Sequence, residues 1–271
     1  GTVPSMPLIC SSIVSKKIAG GADAFVFDVK CGSGAFMRDH ESAEALANGL
    51  VSLSKSLGKK AAALITDMDQ PLGEWVGNAV EVLEAVRVLQ GEGPEDVREV
   101  AVALAGAMVS LGKGISFDDG CILARRKIDD GSALEKMKEL VEAQGGRGDV
   151  CENPDSVLKI APESFVLNAV SGGRVERIEA RSIGEGVKRL GGGRMELGES
   201  IDLAVGVKLL VKMGCCVKAG TPLLEVRYTN GEKLENSLPY FEKAFSVEDT
   251  NCDSSRNGEE GKRSFVLGKV E

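Results

Sequence analysis

Residues 12–37 read SIVSKKIAGGADAFVFDVKCGSGAFM and contain, in order, the signals of a helix, a turn, a buried strand and a glycine-rich loop. Ser12 and Lys16 are four residues apart, so on a helix they share one face. Gly20-Gly21 ends this helix, because glycine adopts the left-handed conformation after a helix without a steric penalty. The run Ala24-Phe25-Val26-Phe27 is apolar at every position, which is typical of a strand covered on both faces in a parallel sheet.

Polar residues follow this strand and a second one. Asp28, Lys30 and Gly32-Ser33-Gly34 come after the first strand, and the polar loop 66–71 follows the apolar run 61–65. Open α/β sheets bind ligands outside the carboxyl ends of their strands. The two strands therefore predict a sheet with a binding site at its mouth, in which Asp28 and Lys30 order one wall.

The rest of the chain predicts a mixed parallel sheet with flanking helices, followed by an α+β barrel-sandwich-like C-terminal domain. We expect a helical remnant over 1–18, a central α/β domain over 19–155 and the C-terminal domain over 156–271. Hydrophobic periodicity and turn residues predict helices at 41–57, 74–90, 95–111, 116–144 with a break at 129–131, and 232–245. They predict strands at 166–170, 175–178, 200–205, 223–226 and 265–270.

Composition narrows the classes of partner. The chain is 43% hydrophobic and 27% charged, which excludes global disorder. A net charge of −8 argues against nucleic acid as a partner, and no apolar run reaches the roughly 18 residues of a membrane helix. Seven cysteines with one histidine and no Cys-x-x-Cys pair argue against zinc. We therefore expect free thiols, no membrane partner and a cytoplasmic protein.

Four segments carry a family resemblance. Residues 7–37 resemble the central segment of the thymidine and pyrimidine-nucleoside phosphorylases, and the likeness continues through LITDMDQPLGEWVGNAVEVLEAV at 64–86. It is looser in GGGR…DLAVGV at 191–207 and AGTPLLEV at 219–226. The resemblance implies phosphorolysis of a pyrimidine nucleoside, phosphate as the co-substrate, no organic cofactor and a homodimer. It does not indicate a preference for thymidine or for uridine.

The same resemblance implies a site for the pyrimidine base. Ser12 and Lys16 match a serine and a lysine that hold the base, and Val3, Ile9 and Phe36 match apolar positions that line its pocket. An ammonium beside a base carbonyl stabilises the negative charge that the departing base acquires. Without the resemblance, Ser12 and Lys16 would be interpreted as a solvated helix face and the three apolar residues as core.

A monovalent cation site is the second implication. Leu72 and Trp75 match positions whose main-chain carbonyls bind the cation in bacterial family members, and Glu84 matches a carboxylate ligand. Carbonyl and carboxylate oxygens suit a hard ion such as potassium. The alternative interpretation of Glu84 is an ordinary carboxylate on the surface of a helix.

Two other classes of protein stay open from the sequence. One is a non-catalytic pseudo-enzyme or partner subunit that keeps the base contacts. The other is a biotin or lipoate carrier, since residues 206–226 resemble the turn of such modules, but the residues around Lys212 do not fit their pattern. Gly32-Ser33-Gly34 is a weak phosphate signal on its own, and His40 is better explained as a surface residue.

The resemblance leads to a first prediction, that the 271-residue chain alone does not turn over nucleoside. The Lys-x-Ser-Thr-Gly-Gly phosphate loop of the family does not occur in the printed residues, so we expect a C-terminal fragment or a truncated relative. Losing the positioned nucleophile forfeits up to about 7–11 kcal/mol of barrier lowering. The assay is phosphate-dependent release of uracil or thymine, with a full-length family member as positive control. Measurable release by this chain would contradict the prediction.

Overall fold

The computed structural model describes residues 5–249 and 264–271, which divide into two compact units. The first unit comprises 5–68, 96–130 and 264–271, and the second comprises 69–95 and 131–249. The domain limits predicted from the sequence follow chain order and stay a prediction.

The first unit is built on a three-stranded mixed sheet. The strands are β1 Ala24–Cys31, β2 Lys60–Asp67 and β10 Val266–Val270, in the order β1-β2-β10. β1 and β2 are parallel and β10 is antiparallel to β2, so the mixed sheet and the C-terminal edge strand are confirmed. The helices of this unit are α1 Met6–Ala19, α2 His40–Ser56, α4 Glu95–Lys113 and α5 Phe117–Asp129.

The core of the first unit lies between α1, α2 and the sheet. α2 begins where the Asp39 carboxylate accepts the Ser42 N–H at 2.8 Å, a hydrogen bond that lowers the pKa of Asp39. Its apolar residues recur at helical spacing and therefore form one buried stripe. Buried residues of this core include Cys10, Val14, Phe25, Phe27, Val29, Ala43, Leu46, Ala47, Leu50 and Val51.

α4 and α5 approach each other closely at two glycines. A Cβ added to Gly106 would lie 2.4 Å from Cys121 Sγ, and one added to Gly120 would lie 2.2 Å from the Gly106 carbonyl oxygen. Within the described part of the chain, no single helix is long and apolar enough to cross a membrane. α4 and α5 meet that test only as a pair, and they are bent by 117° at the break between them.

The second unit contains two antiparallel sheets. One has the order β3-β6-β8-β4 and the other β7-β5-β9. The strands are β3 Trp75–Gly77, β4 Glu163–Asn168, β5 Gly173–Ile178, β6 Gly206–Leu209, β7 Cys216–Val217, β8 Pro222–Tyr228 and β9 Phe245–Glu248. The helices are α3 Ala79–Leu89, α6 Ser132–Ala143, α7 Pro154–Val157, α8 Ala180–Val187 and α9 Gly231–Ala244, with a 3-10 turn at Gly148–Cys151 and a π-helical turn at Lys188–Gly192.

A second apolar core fills this unit, so the sheet-rich second part of the predicted fold class is confirmed. Phe241 on α9 is completely buried against Gly186 of α8, where an added Cβ would lie 2.3 Å from the ring. The helix predicted over 232–245 is confirmed as α9, although Pro239 lies in its interior. Other buried members are Val175, Ile178, Ile183, Leu190, Val207, Leu209, Leu224 and Val226.

Three predictions from the sequence are wrong. The helix over 74–90 begins only at Ala79, because Trp75–Gly77 pair with β6 as a strand. The strand placed at 200–205 forms instead at Gly206–Leu209, where the backbone finds partners in β3 and β8. Free thiols are confirmed for five described cysteines, but Cys216 is disulfide-bonded.

The contact between α4 and α5 gives the second testable prediction. Gly106→Ala should destabilise the protein by about 1–3 kcal/mol, the usual cost of overpacking. Gly112 lies on the same helix, and a Cβ added there would meet nothing within 4 Å. Gly112→Ala should therefore be neutral or stabilising by up to about 1 kcal/mol. Urea unfolding measures both variants, and equal free-energy changes would contradict the close packing.

Candidate functional site

Ile9, Ser12 and Lys16 lie on one face of α1. Their spacing of three and four residues brings them above one another, while Cys10 and Val14 occupy the buried side of the helix. Ile9 is partly buried against the core, and Ser12 and Lys16 are exposed. Ser12 Oγ donates to the Ile9 carbonyl at 2.9 Å. The structure therefore places these three predicted base-site residues side by side.

A cavity of about 470 Å³ lies beside Lys16 in the first unit. Lys16 and Lys17 contribute its positive charge, and residues of β1 and the end of α4 contribute apolar surface. Ser12, Ile9 and Phe36 are not among its lining residues. Phe36 lies in the loop after β1 with 60% of its surface exposed, and Val3 lies outside the described residues. The predicted pyrimidine pocket stays a prediction.

A polar cluster joins three side chains of β1 and β2. Asp28 and Lys30 were expected to follow the first strand but lie within β1, because the pairing with β2 extends to Cys31. Lys30 Nζ lies 2.7 Å from Asp28 Oδ2 and donates to Thr66 Oγ1 at 3.0 Å. The Thr66 hydroxyl in turn donates to Asp28 Oδ1. Thr66 is completely buried, and its role was not predicted because its hydroxyl meets Asp28 and Lys30 only through the parallel pairing of the strands.

The glycine-rich loop uses its own amides. The Gly32 N–H donates to the Met37 carbonyl and the Gly34 N–H to the Met68 carbonyl, both at 3.0 Å. The φ angle of Gly32 is 133°, a conformation that favours glycine. These amides hold the turn in place, which agrees with leaving this segment without a phosphate assignment.

Glu84 organises the segment predicted to bind a cation. It lies on α3 with 7% of its surface exposed, and its Oε1 accepts the N–H groups of Glu74 at 2.8 Å and Trp75 at 3.1 Å. A carboxylate that receives two backbone N–H groups forms strong charge-assisted hydrogen bonds. The interpretation of Glu84 as an ordinary surface carboxylate is therefore wrong.

The residues that precede and begin β3 hold the predicted cation segment against β6. The Glu74 carbonyl accepts the Leu209 N–H at 2.7 Å, and Trp75 pairs with Lys208 of β6. The N–H groups of Glu74 and Trp75 both reach Glu84, so one carboxylate fixes both residues. In the described residues no group of three His, Cys, Asp or Glu side chains forms a metal cluster, but the predicted ligands here are carbonyls and one carboxylate.

Lys212 contacts the same loop from the segment after β6. Its Nζ donates to the carbonyls of Pro71, at 3.0 Å, and Gly73. The next residue, Met213, donates its N–H to Gln70 Oε1 at 3.0 Å. A carrier module needs its lysine at an exposed hairpin tip, whereas this side chain is partly buried and bound to the protein. The carrier alternative therefore loses its support.

Two protein-family models match this chain. Residues 1–134 match the model of the glycosyl transferase family a/b domain, and residues 174–248 match the pyrimidine nucleoside phosphorylase C-terminal domain. The chain belongs to the pyrimidine-nucleoside phosphorylase family.

Curated relatives agree across most of the chain. It is 42% identical to the pyrimidine-nucleoside phosphorylase of Staphylococcus haemolyticus over 92% of its length, and 45% identical to that of Geobacillus stearothermophilus over 87%. The chain spans only 57% and 54% of these two relatives, a little over half of each. These names belong to the longer proteins, and the activity of this chain is therefore a proposal.

A third prediction tests Glu84. Glu84→Ala should lower the free energy of unfolding by at least about 2 kcal/mol, because hydrogen bonds to a charged group contribute about 1.5–3 kcal/mol each. Glu81→Ala is the matched control, since Glu81 lies on the same helix and accepts one exposed N–H from Gly77. That control should stay within about 1 kcal/mol. Similar losses in the two variants, measured by urea unfolding, would contradict an organising role for Glu84.

Proposed function

We propose that this chain provides the base-binding part of a pyrimidine-nucleoside phosphorylase. The proposal is supported by the similarity to pyrimidine-nucleoside phosphorylases over most of the chain. It is also supported by the position of Ile9, Ser12 and Lys16 on one face of α1, where Lys16 lines a cavity. The reaction converts a pyrimidine nucleoside and phosphate into the free base and a pentose 1-phosphate. Phosphate is the co-substrate, and no organic cofactor takes part.

The chemistry explains why a lysine belongs here. Phosphate attacks the anomeric carbon while the glycosidic bond breaks, so an electron pair moves onto the pyrimidine. The Lys16 ammonium stabilises that charge at a base carbonyl, and the Ser12 hydroxyl bonds the ring edge. Ser12 is then required to exchange its present hydrogen bond to the Ile9 carbonyl for one to the base. Ile9 and Phe36 supply apolar surface beside the ring, with Val3 as a further candidate.

A potassium ion bound by the carbonyls of Leu72 and Trp75 and by Glu84 completes the proposal. Its support is that Glu84 is buried and that its carboxylate is held against this segment by the N–H groups of Glu74 and Trp75. Oxygen ligands of this kind suit a weakly demanding monovalent ion. A homodimer in the cytoplasm stays a prediction from the family.

The fourth prediction asks whether Lys16 recognises negative charge on the base. A nitro group at position 5 of uracil makes the ring anionic near neutral pH, so 5-nitrouracil resembles the departing base more closely than thymine does. The chain should bind 5-nitrouracil about tenfold more tightly than thymine, because ionised partners form stronger hydrogen bonds. Lys16→Ala should abolish this preference. Isothermal titration calorimetry on the 271-residue chain measures both ligands.

Two control variants accompany Lys16→Ala. Lys17 lines the same cavity but lies about 100° around the helix from Lys16, so Lys17→Ala should keep the preference for the anionic base. Lys55 is exposed on α2 and should behave like the unchanged protein. A preference that survives in Lys16→Ala, or that falls equally in the Lys16 and Lys17 variants, would count against the assignment.

A further inference from the structure

We infer that Lys212 is a positioning residue, an internal cation that fixes the loop formed by residues 70–75. The inference goes beyond the proposed function, because it requires neither a nucleoside nor a bound metal ion. It rests on contacts within the second unit that join two segments about 140 residues apart, for which the sequence gives no local signal.

Lys212 binds two backbone carbonyls that lie in buried residues. Pro71 and Gly73 are both buried, and each offers a carbonyl oxygen that needs a donor once water is excluded. The Lys212 ammonium carries three N–H groups and donates to both oxygens. Gly73 has a φ of 72°, a left-handed conformation that favours glycine, so this turn is locally specified as well.

A positively and a negatively charged side chain both bind the backbone of this loop. The Lys212 ammonium binds its carbonyls, whereas the Glu84 carboxylate binds the N–H groups of Glu74 and Trp75. Opposite charges thus satisfy opposite backbone groups, and neither charge substitutes for the other. Gln70, only 2% exposed, accepts a further hydrogen bond from the Met213 N–H.

The consequence concerns the proposed cation site. Leu72 and Trp75 belong to this loop, and the two carbonyls that flank Leu72 are those bound by Lys212. The lysine therefore sets the backbone conformation of the candidate ligands without coordinating the ion itself. The loop should be ordered in a buffer that contains neither sodium nor potassium.

Amide hydrogen exchange of the peptide covering 69–77, in choline chloride, is the test. Lys212→Ala should exchange the Glu74 and Trp75 amides about tenfold faster or more, since the loop loses two hydrogen bonds from a charged donor. Lys208→Ala is the matched control. Lys208 also reaches this loop, but it binds the Glu74 side chain at 3.3 Å and lies over the Trp75 ring. It should leave exchange nearly unchanged.

Chemical rescue separates a hydrogen-bonding role from a general effect of charge. Ethylammonium added to Lys212→Ala should restore slow exchange, because it supplies N–H donors of the lost kind. Tetramethylammonium has the same charge without N–H groups and should not. Lys212→Arg should retain much of the protection, since guanidinium also donates to carbonyl oxygens.

The outcomes that overturn the inference are equally definite. Unchanged exchange in Lys212→Ala, an equal effect in Lys208→Ala, or equal rescue by both amines would each do so. Peptides from β4 and β8 serve as internal controls for folding. If Lys212→Ala does not fold, exchange is measured in Lys212→Arg, which should retain much of the protection. The proposed nucleoside phosphorolysis can fail without affecting these results, because no substrate is present.

Discussion

The parallel pairing of β1 with β2 is the constraint on which the first unit depends. The two strands run in register over eight residue pairs, from Ala24 opposite Lys60 to Cys31 opposite Asp67. The register sets Lys30 opposite Thr66, and Asp28, two residues before Lys30, faces the same side of the strand. Asp28, Lys30 and Thr66 consequently form one hydrogen-bonded cluster, although the chain separates the threonine from both charges by more than thirty residues. The buried apolar side chains of both strands supply the free energy that holds this register.

In the second unit, two charged side chains bind backbone groups of one loop. A buried charge is costly unless hydrogen bonds satisfy it. The buried Glu84 accepts two N–H groups of the loop, and the partly buried Lys212 donates to two of its carbonyls. The loop gains conformational definition from both signs of charge, and the charges gain partners from the loop. These contacts give a physical reason for residues 71–75 to keep one backbone conformation without a bound ion.

The proposed base site differs in character from that rigid loop. Ser12 and Lys16 are exposed on α1, and the helix keeps them adjacent at little cost because its opposite face is buried through Cys10 and Val14. Exposed polar groups on a well-packed helix can exchange partners readily, as Ser12 must do to bind a base. In the proposed mechanism, the Lys16 ammonium would stabilise charge on the base with little rearrangement of the helix backbone.

The sequence by itself determined what depends on local periodicity and turn chemistry. It predicted α1, α2, β1, β2, α4 and α9 with their types, because their apolar spacing and their glycine or N-cap boundaries act within a few residues. The family of the chain followed from its contiguous motifs. Only the tertiary structure decided that Trp75–Gly77 form a strand, that Thr66 joins Asp28 and Lys30, and that Lys212 binds the Pro71 and Gly73 carbonyls. Each of these contacts depends on a partner that is distant in the chain. Which distant segments pair depends on how whole helices and strands bury their apolar faces, and no local sequence pattern specifies that.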